Sequence, residues 1–233
     1  REYCYVLAPR QIGKSSLRAR CQKRLESAGF ICATIDLSSI GTDLSQDDWY
    51  ASLLVEIADG LGLEDPSEYW RSCSGLPAVS RFVQYFSNIL INQVKAESIV
   101  FVDEIDVLRK LPFPGDDFLA AIRSLFNRRA DEPKYEQICF CLIGVAAPGE
   151  LIEDTFKTPF NIGRHIQMMD FTPEQSLAFL PGLLPCVSGS AEKAEALISE
   201  IMTWTDGHPY MTQRLCSEVA NEKASEHDPK AVI

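Results

Sequence analysis

The nine residues Ala8-Pro9-Arg10-Gln11-Ile12-Gly13-Lys14-Ser15-Ser16 combine an ammonium group, two hydroxyls and a glycine, directly behind an apolar run and ahead of a helical one. Their A-x-x-x-x-G-K-S pattern matches the phosphate-binding loop, with alanine in place of the first glycine. In such a loop the main-chain N–H groups of residues 8–16 wrap the β-phosphate, and the positive end of the following helix adds to them. Lys14 would bridge β and γ oxygens, and Ser15 would ligate Mg2+. Gly13 is expected to be glycine because a Cβ there would crowd the phosphate, whereas the first position takes alanine in known variants. The competing reading is a strand, a turn and a helix that carry a chance G-K-S.

A second group of residues weighs against chance. Ile99-Val100-Phe101-Val102 run into Asp103-Glu104-Ile105-Asp106, so two adjacent carboxylates stand at the C-terminal end of a buried strand. Hydrolysis of Mg·ATP needs such a pair, Asp103 to hold the metal's water shell and Glu104 to polarise the attacking water. About ninety residues separate Gly13 from Asp103, room for an intervening strand and helix. Asp106 reads as a helix-start or surface acid. A fourth strand should lie between those carrying the loop and the acids, and its tip usually offers a polar residue that senses the γ-phosphate. Here the tip is Gly144-Val145-Ala146-Ala147-Pro148, without hydroxyl, amide or arginine, so that sensor is expected to be absent or degenerate and turnover slow.

The elements that must hold these groups alternate along the chain. Residues 3–7 are a β-branched and aromatic run, and Lys14 to Ala28 carries charges around an apolar stripe of Leu17, Cys21, Leu25 and Ala28, with Gly29 placed to cap it. Phe30 to Leu37 reads as a strand apolar on both faces, Trp49 to Leu61 as an amphipathic helix, 65–77 as a loop or short helical insertion, and Val79 to Val94 as a helix. Strands follow at 98–102 and 138–146, with a helix at 116–129 between them. After Pro148 the pattern turns helical, with starts at Thr172-Pro173-Glu174-Gln175, Ala191 and Pro209. The fold expected is α/β, a three-layer sandwich with a mostly parallel central sheet over residues 1–170, followed by a small helical lid over 171–233.

Composition narrows the function classes. With 46% hydrophobic and 24% charged residues the 233-residue chain is ordinary globular material. Its longest nearly uncharged apolar run, 138–148, is about half of a membrane span, so no membrane partner is expected. The net charge is −11, yet the first 24 residues sum to +6, leaving −17 on the other 209. The positive end is where an anion would go, and the acidic remainder makes nucleic acid an unlikely partner. Eight cysteines sit in apolar or helical patterns without zinc spacing, which reads as reduced thiols in the cytoplasm. Cys139 and Cys141 share one strand face as small core hydrophobes. The chain opens on Arg1 without initiator methionine or signal sequence and reads as a segment of a longer protein, its lid truncated at the C-terminus.

The loop, Ile35-Asp36-Leu37, Val102-Asp103-Glu104-Ile105-Asp106, Leu142-Ile143-Gly144-Val145, Thr158-Pro159-Phe160-Asn161-Ile162-Gly163-Arg164 and Gly207-His208-Pro209-Tyr210 with Thr212-Gln213 together resemble the bacterial AAA-like ATPase domain, related to the STAND class of signalling NTPases within the ASCE branch. The resemblance covers essentially the whole chain. It implies an ATP/ADP switch with Mg2+ as cofactor, fused to sensor or effector domains and able to form homo-oligomers, with slow hydrolysis. In STAND relatives a Gly-x-Pro motif in the lid sets its proline against the adenine, and Gly207 and Pro209 match it; Pro209 also suits a plain helix start after a glycine turn. Arg129 and Arg164 are candidates for an arginine finger or sensor, and Arg10 lies within the loop. Lys157 stands where the family often has arginine and Ala147 where it often has threonine. Two other readings stay open: a nucleotide-binding scaffold that never turns over, and a DNA-engaging ATPase of the same fold.

Overall fold

The computed structural model describes residues 2–145 and 160–226, with side chains through residue 222. Ala146, Ala147 and Pro148 of the sensor tip, and Lys157, Thr158 and Pro159, lie outside the described residues. The chain divides into two compact units: residues 1–9 with 14–167, and residues 10–13 with 168–233.

The first unit is built on five parallel strands, β1 (Cys4–Leu7), β2 (Ile31–Asp36), β3 (Ser98–Asp103), β4 (Ile138–Gly144) and β5 (Arg164–His165), in the order β2-β3-β4-β1-β5. The four expected strands are present and β4 lies between β1 and β3. Leu7 pairs with Gly144 and Val102 with Leu142, so the chain leaves β1, β3 and β4 along one edge of the sheet. That common edge is what positions the site. The sequence does not signal β5, whose two exposed polar residues attach through the Arg164 N–H, which donates to the Tyr3 carbonyl at 2.8 Å, and through the His165 ring, which stacks on Tyr5 at 5.0 Å.

One face of the sheet carries the core. Trp49, Tyr50, Leu53, Leu54 and Ile57 of helix α2 (Gln46–Gly60) pack with Phe82 and Tyr85 of α3 (Ala78–Tyr85), Phe118 and Ile122 of α4 (Asp116–Asn127), and Val100, Val102, Phe140 and Leu142 of the strands. Rings of Trp49 and Phe118 meet edge to face at 5.6 Å, and each such fully buried side chain contributes about 1.5–3 kcal/mol. The helix expected over 79–94 is interrupted by a π turn at Phe86–Leu90. Phe82, Phe86 and Leu90 recur at intervals of four, wider than the α-helical 3.6, and the broader turn keeps all three inward.

The other face differs from expectation. Helix α1 (Lys14–Ser27) buries fully only Lys14, while Leu17, Cys21 and Leu25 are half-buried and Ala28 is exposed. Strand β2, expected to be apolar on both faces, exposes Thr34 and Asp36 on this side, because it is the edge strand of the sheet. Gly29 does end α1: its φ is +91°, and the Phe30 N–H turns back to the Leu25 carbonyl at 3.0 Å.

In the second unit Thr172 and Gln175 form a reciprocal capping box with Pro173 at the first helical position. Pro181, Gly182 and Pro185 then break 177–187 into single turns. Helices α5 (Ala191–Thr205) and α6 (Pro209–Glu226) follow, and Leu183, Ala194, Ile198, Ile201 and Cys216 form a separate small core.

Candidate functional site

The phosphate-loop sequence begins where β1 ends. The Ala8 N–H donates to the Gly144 carbonyl at 3.1 Å, so the loop starts as a continuation of the β1–β4 ladder. Ala8 is buried and is not among the residues with positive φ, which explains in backbone terms why a Cβ is tolerated there. Gly13 has φ +96°, a conformation that excludes other L-residues regardless of a phosphate. The closest protein atom to a Cβ built on it is the Met168 Cε at 3.8 Å, so backbone conformation, not crowding by protein atoms, requires the glycine. Gln11 also lies at positive φ, +64°, a strained value for a residue with a side chain. Pro9, Arg10, Ser15 and Ser16 are exposed and Ile12 is buried. Lys14 opens α1, and its ammonium donates to the Ala8 and Pro9 carbonyls at 2.8 and 2.7 Å.

The acid pair ends β3, two strands from β1 and therefore about 10 Å across the same sheet edge. Asp103 Oδ1 accepts the N–H of Glu104 at 3.0 Å, and Oδ2 faces the Arg18 Nε at 3.9 Å. Glu104 is held in the left-handed region, φ 55° and ψ 42°, and the chain then turns into the 3-10 stretch Ile105–Lys110. Its carboxylate and the Ser15 hydroxyl make no hydrogen bond or ion pair among the described residues. The two side chains expected to meet water and metal are thus unspent by the protein, while Lys14 and Asp103 are held.

Asp106, read from sequence as a helix-start or surface acid, instead braces the sheet edge. Its Oδ2 accepts the Val145 N–H at 2.7 Å, tying the end of β4 to the segment after β3. Gly144 makes room for this contact, since a Cβ there would lie 2.7 Å from the Ile105 Cγ1 and 3.0 Å from the same Oδ2. Sequence could not flag that tie, which joins residues 39 apart. Two further polar residues, Asp36 of the Ile35-Asp36-Leu37 motif and Arg18, neither given a role from sequence, stand near Asp103. Asp36 is its register partner on β2 and is spent capping Leu37–Ile40, accepting from the Ser38 N–H at 2.9 Å and the Ser38 hydroxyl at 2.6 Å. Arg18 lies one helical turn after Lys14, a spacing that could have marked it.

The candidate arginines are not brought to this edge. Arg129 Nη2 donates to the carbonyl of Ile138, the first residue of β4, at 2.6 Å, and its guanidinium covers the rings of Tyr3 and Phe126 at 4.5 and 4.8 Å. Arg164 is exposed beside Cys4 at the start of β1. Both stand at strand N-termini, the sheet edge opposite the loop and the acids. In the second unit, Gly207 has φ +74° and a Cβ there would fall 2.4 Å from the Phe171 carbonyl oxygen; Pro209 is buried at the start of α6. All eight cysteines are free thiols, Cys141 buried and Cys139 half-buried. Among the described residues no three His, Cys, Asp or Glu side chains form a metal site, and no helix is long and apolar enough to cross a membrane.

A family model described as AAA-like domain matches residues 3–228. An uncharacterized WD repeat-containing protein of Synechocystis is 37% identical over 223 residues, which are 94% of this chain and 18% of that protein. Among solved structures, the Aeropyrum pernix ORC2 protein, determined as ADPNP-ADP complexes, superposes with a TM-score of 0.56 at 14% identity over 95% of this chain and 61% of that one. The Aeropyrum pernix ORC1 protein in complex with DNA gives 0.50 at 18% identity, over 97% and 59%. These structural likenesses show the fold. The chain thus spans under a fifth of the curated relative and about three fifths of the two solved chains.

Proposed function

Because the chain belongs to the AAA-like domain family, we propose that it binds ATP at the loop of residues 8–16 and hydrolyses it slowly, as the switch module of a longer, STAND-like signalling protein. One observation carries this reading. A phosphate-loop sequence and an adjacent Asp-Glu pair leave the same edge of a parallel sheet with one strand between them. The loop amides and the start of α1 would hold the phosphates, with Lys14 shifting its donors from the Ala8 and Pro9 carbonyls to β and γ oxygens. The donors available for a metal, the Ser15 hydroxyl and the Asp103 carboxylate, are both hard oxygens, a set that suits Mg2+ shared with phosphates and not a thiophilic ion. Bound Mg2+ would neutralise charge on the phosphate oxygens. Glu104 would accept a hydrogen bond from the attacking water and orient it. Pro209 is proposed to reach the adenine, with Gly207 shaping the turn before it.

The WD-repeat relative, of which this chain matches 18%, supports a protein with further sensor or effector modules; nucleotide-controlled assembly of several copies in the cytoplasm is the output proposed for it. Calorimetric titration of ATP with Mg2+ is expected to give saturable one-to-one binding, with phosphate release below about 1 s⁻¹. Absence of any saturable heat, with no displacement of a fluorescent analogue, overturns the reading.

A second reading, DNA engagement, draws on the neighbour solved with DNA and on the exposed Arg20, Lys23 and Arg24 of α1. The −17 carried beyond residue 24 opposes it. Duplex DNA should therefore not be retained on the protein at about 0.15 M salt; tight binding that weakens steeply with salt in a filter assay reverses the ranking.

A further inference from the structure

The carboxylate that would carry the metal already has a cation beside it, and that cation is fixed in place. Arg18 Nη1 donates to Gln22 Oε1 at 2.9 Å and to Thr34 Oγ1 at 3.2 Å, anchoring one edge of the guanidinium to α1 and to β2. The Thr34 hydroxyl donates in turn to the same Gln22 oxygen at 3.1 Å, closing a three-residue ring. The other edge presents Nε to Asp103 Oδ2 at 3.9 Å, too long for a hydrogen bond. Nε is itself buried without a hydrogen-bond partner. A buried donor left unsatisfied is costly, and here its charge is aimed at the acid of β3. The arrangement is not a helix-surface pair, because it joins α1, β2 and β3, and Asp103 has few other directions in which to turn with its Oδ1 engaged by the Glu104 N–H at 3.0 Å.

We infer that Arg18 is a positioning residue for Asp103 that sets how much Mg2+ the nucleotide site requires. Resting on the ATP-binding reading above, the inference is this: the guanidinium holds the Asp103 carboxylate in place and offsets part of its negative charge, so that Mg2+ is accepted only together with the phosphates. An anchored monovalent cation beside a metal's carboxylate opposes a divalent ion through like-charge repulsion and supports the carboxylate's orientation through attraction. The Nη1 anchor on Thr34 and Gln22 keeps the guanidinium from swinging away when the metal arrives, which a free surface arginine would do.

The test is a Mg2+ titration of fluorescent ATP-analogue binding to the protein, with the affinity in EDTA as each variant's own baseline. Arg18→Met is expected to lower the Mg2+ concentration at half-saturation by roughly five- to tenfold, a difference that shrinks as salt is raised. Arg18→Lys keeps the charge but not the fork that anchors it on Thr34 and Gln22, so its Mg2+ midpoint should fall between those of the parent and Arg18→Met. Should Arg18→Met fail to fold by circular dichroism, Thr34→Val releases the Nη1 anchor and carries the same expectation at smaller size. A merely structural arginine would alter stability without moving the Mg2+ midpoint, so an unchanged midpoint in the folded variants overturns the inference. Failure of the parent to bind nucleotide at any Mg2+ concentration instead overturns the ATP-binding reading, and the two failures are distinguishable.

Discussion

Lys14→Ala is expected to lower the affinity for ATP at least about a hundredfold. A charge-assisted hydrogen bond to a phosphate oxygen contributes about 1.5–3 kcal/mol, and an ammonium bridging two of them contributes more than the roughly 2.8 kcal/mol that a hundredfold represents. In the structure the ammonium bonds the Ala8 and Pro9 carbonyls, so it already sits over the loop's own backbone. Those bonds raise the alternative that the variant fails by loosening the loop. The main core contains neither the loop nor Lys14, so the melting temperature without ligand should change by no more than about 3 °C. The upward shift that ATP gives the parent should vanish. Lys14→Met, which keeps the apolar stem and removes only the charge, should behave the same way. Isothermal titration and melting with and without ATP read all of this, and an unimpaired affinity in Lys14→Ala removes the basis for the phosphate site.

How far sequence could see this molecule depended on burial. Strands β3 and β4 are apolar on both faces because other strands and helices cover them, and such runs stand out. The edge strand β2 was legible as a strand but not in its polarity, because position within a sheet is a long-range property; its outward Thr34 anchors Arg18. The two-residue β5 offers no period at all. In the second unit the Thr172 capping box marked a helix start, yet Pro181, Gly182 and Pro185 decided how little helix would follow.

The site divides along the same line. A loop contiguous in sequence announces itself, and so does an acid pair after an apolar run. What remained invisible are contacts set by the fold: the Asp106 carboxylate on the Val145 N–H, Arg18 against Asp103, and the engagement of Arg129 with Tyr3, Phe126 and the Ile138 carbonyl. Asp106 also bears on the end of β4, where a sensor was expected. The backbone just after β4 is held by an acid from the segment that follows Glu104, so the end of β4 and the turn after β3 are mechanically joined without a polar side chain from β4 itself.

Glu104→Gln should separate binding from hydrolysis. Glutamine fills the same volume and adopts the same backbone, so ATP affinity should stay within a few-fold of the parent, while phosphate release falls at least about a hundredfold through loss of the group that orients and polarises water. The backbone at this position adds an independent check. Glu104 holds φ 55° and ψ 42°, a left-handed conformation that costs a residue with a Cβ about 1 kcal/mol. Glu104→Gly relieves that cost and should raise the melting temperature by about 2–4 °C while abolishing phosphate release. A residue that makes the protein more stable when removed and inactive at the same time is kept for chemistry, since packing gives no reason to retain it. If the parent binds ATP yet releases no phosphate above background, and Glu104→Gln matches it, the non-hydrolysing scaffold is the correct description, and the strain at Glu104 would have to serve the turn that carries Asp106 to Val145 instead.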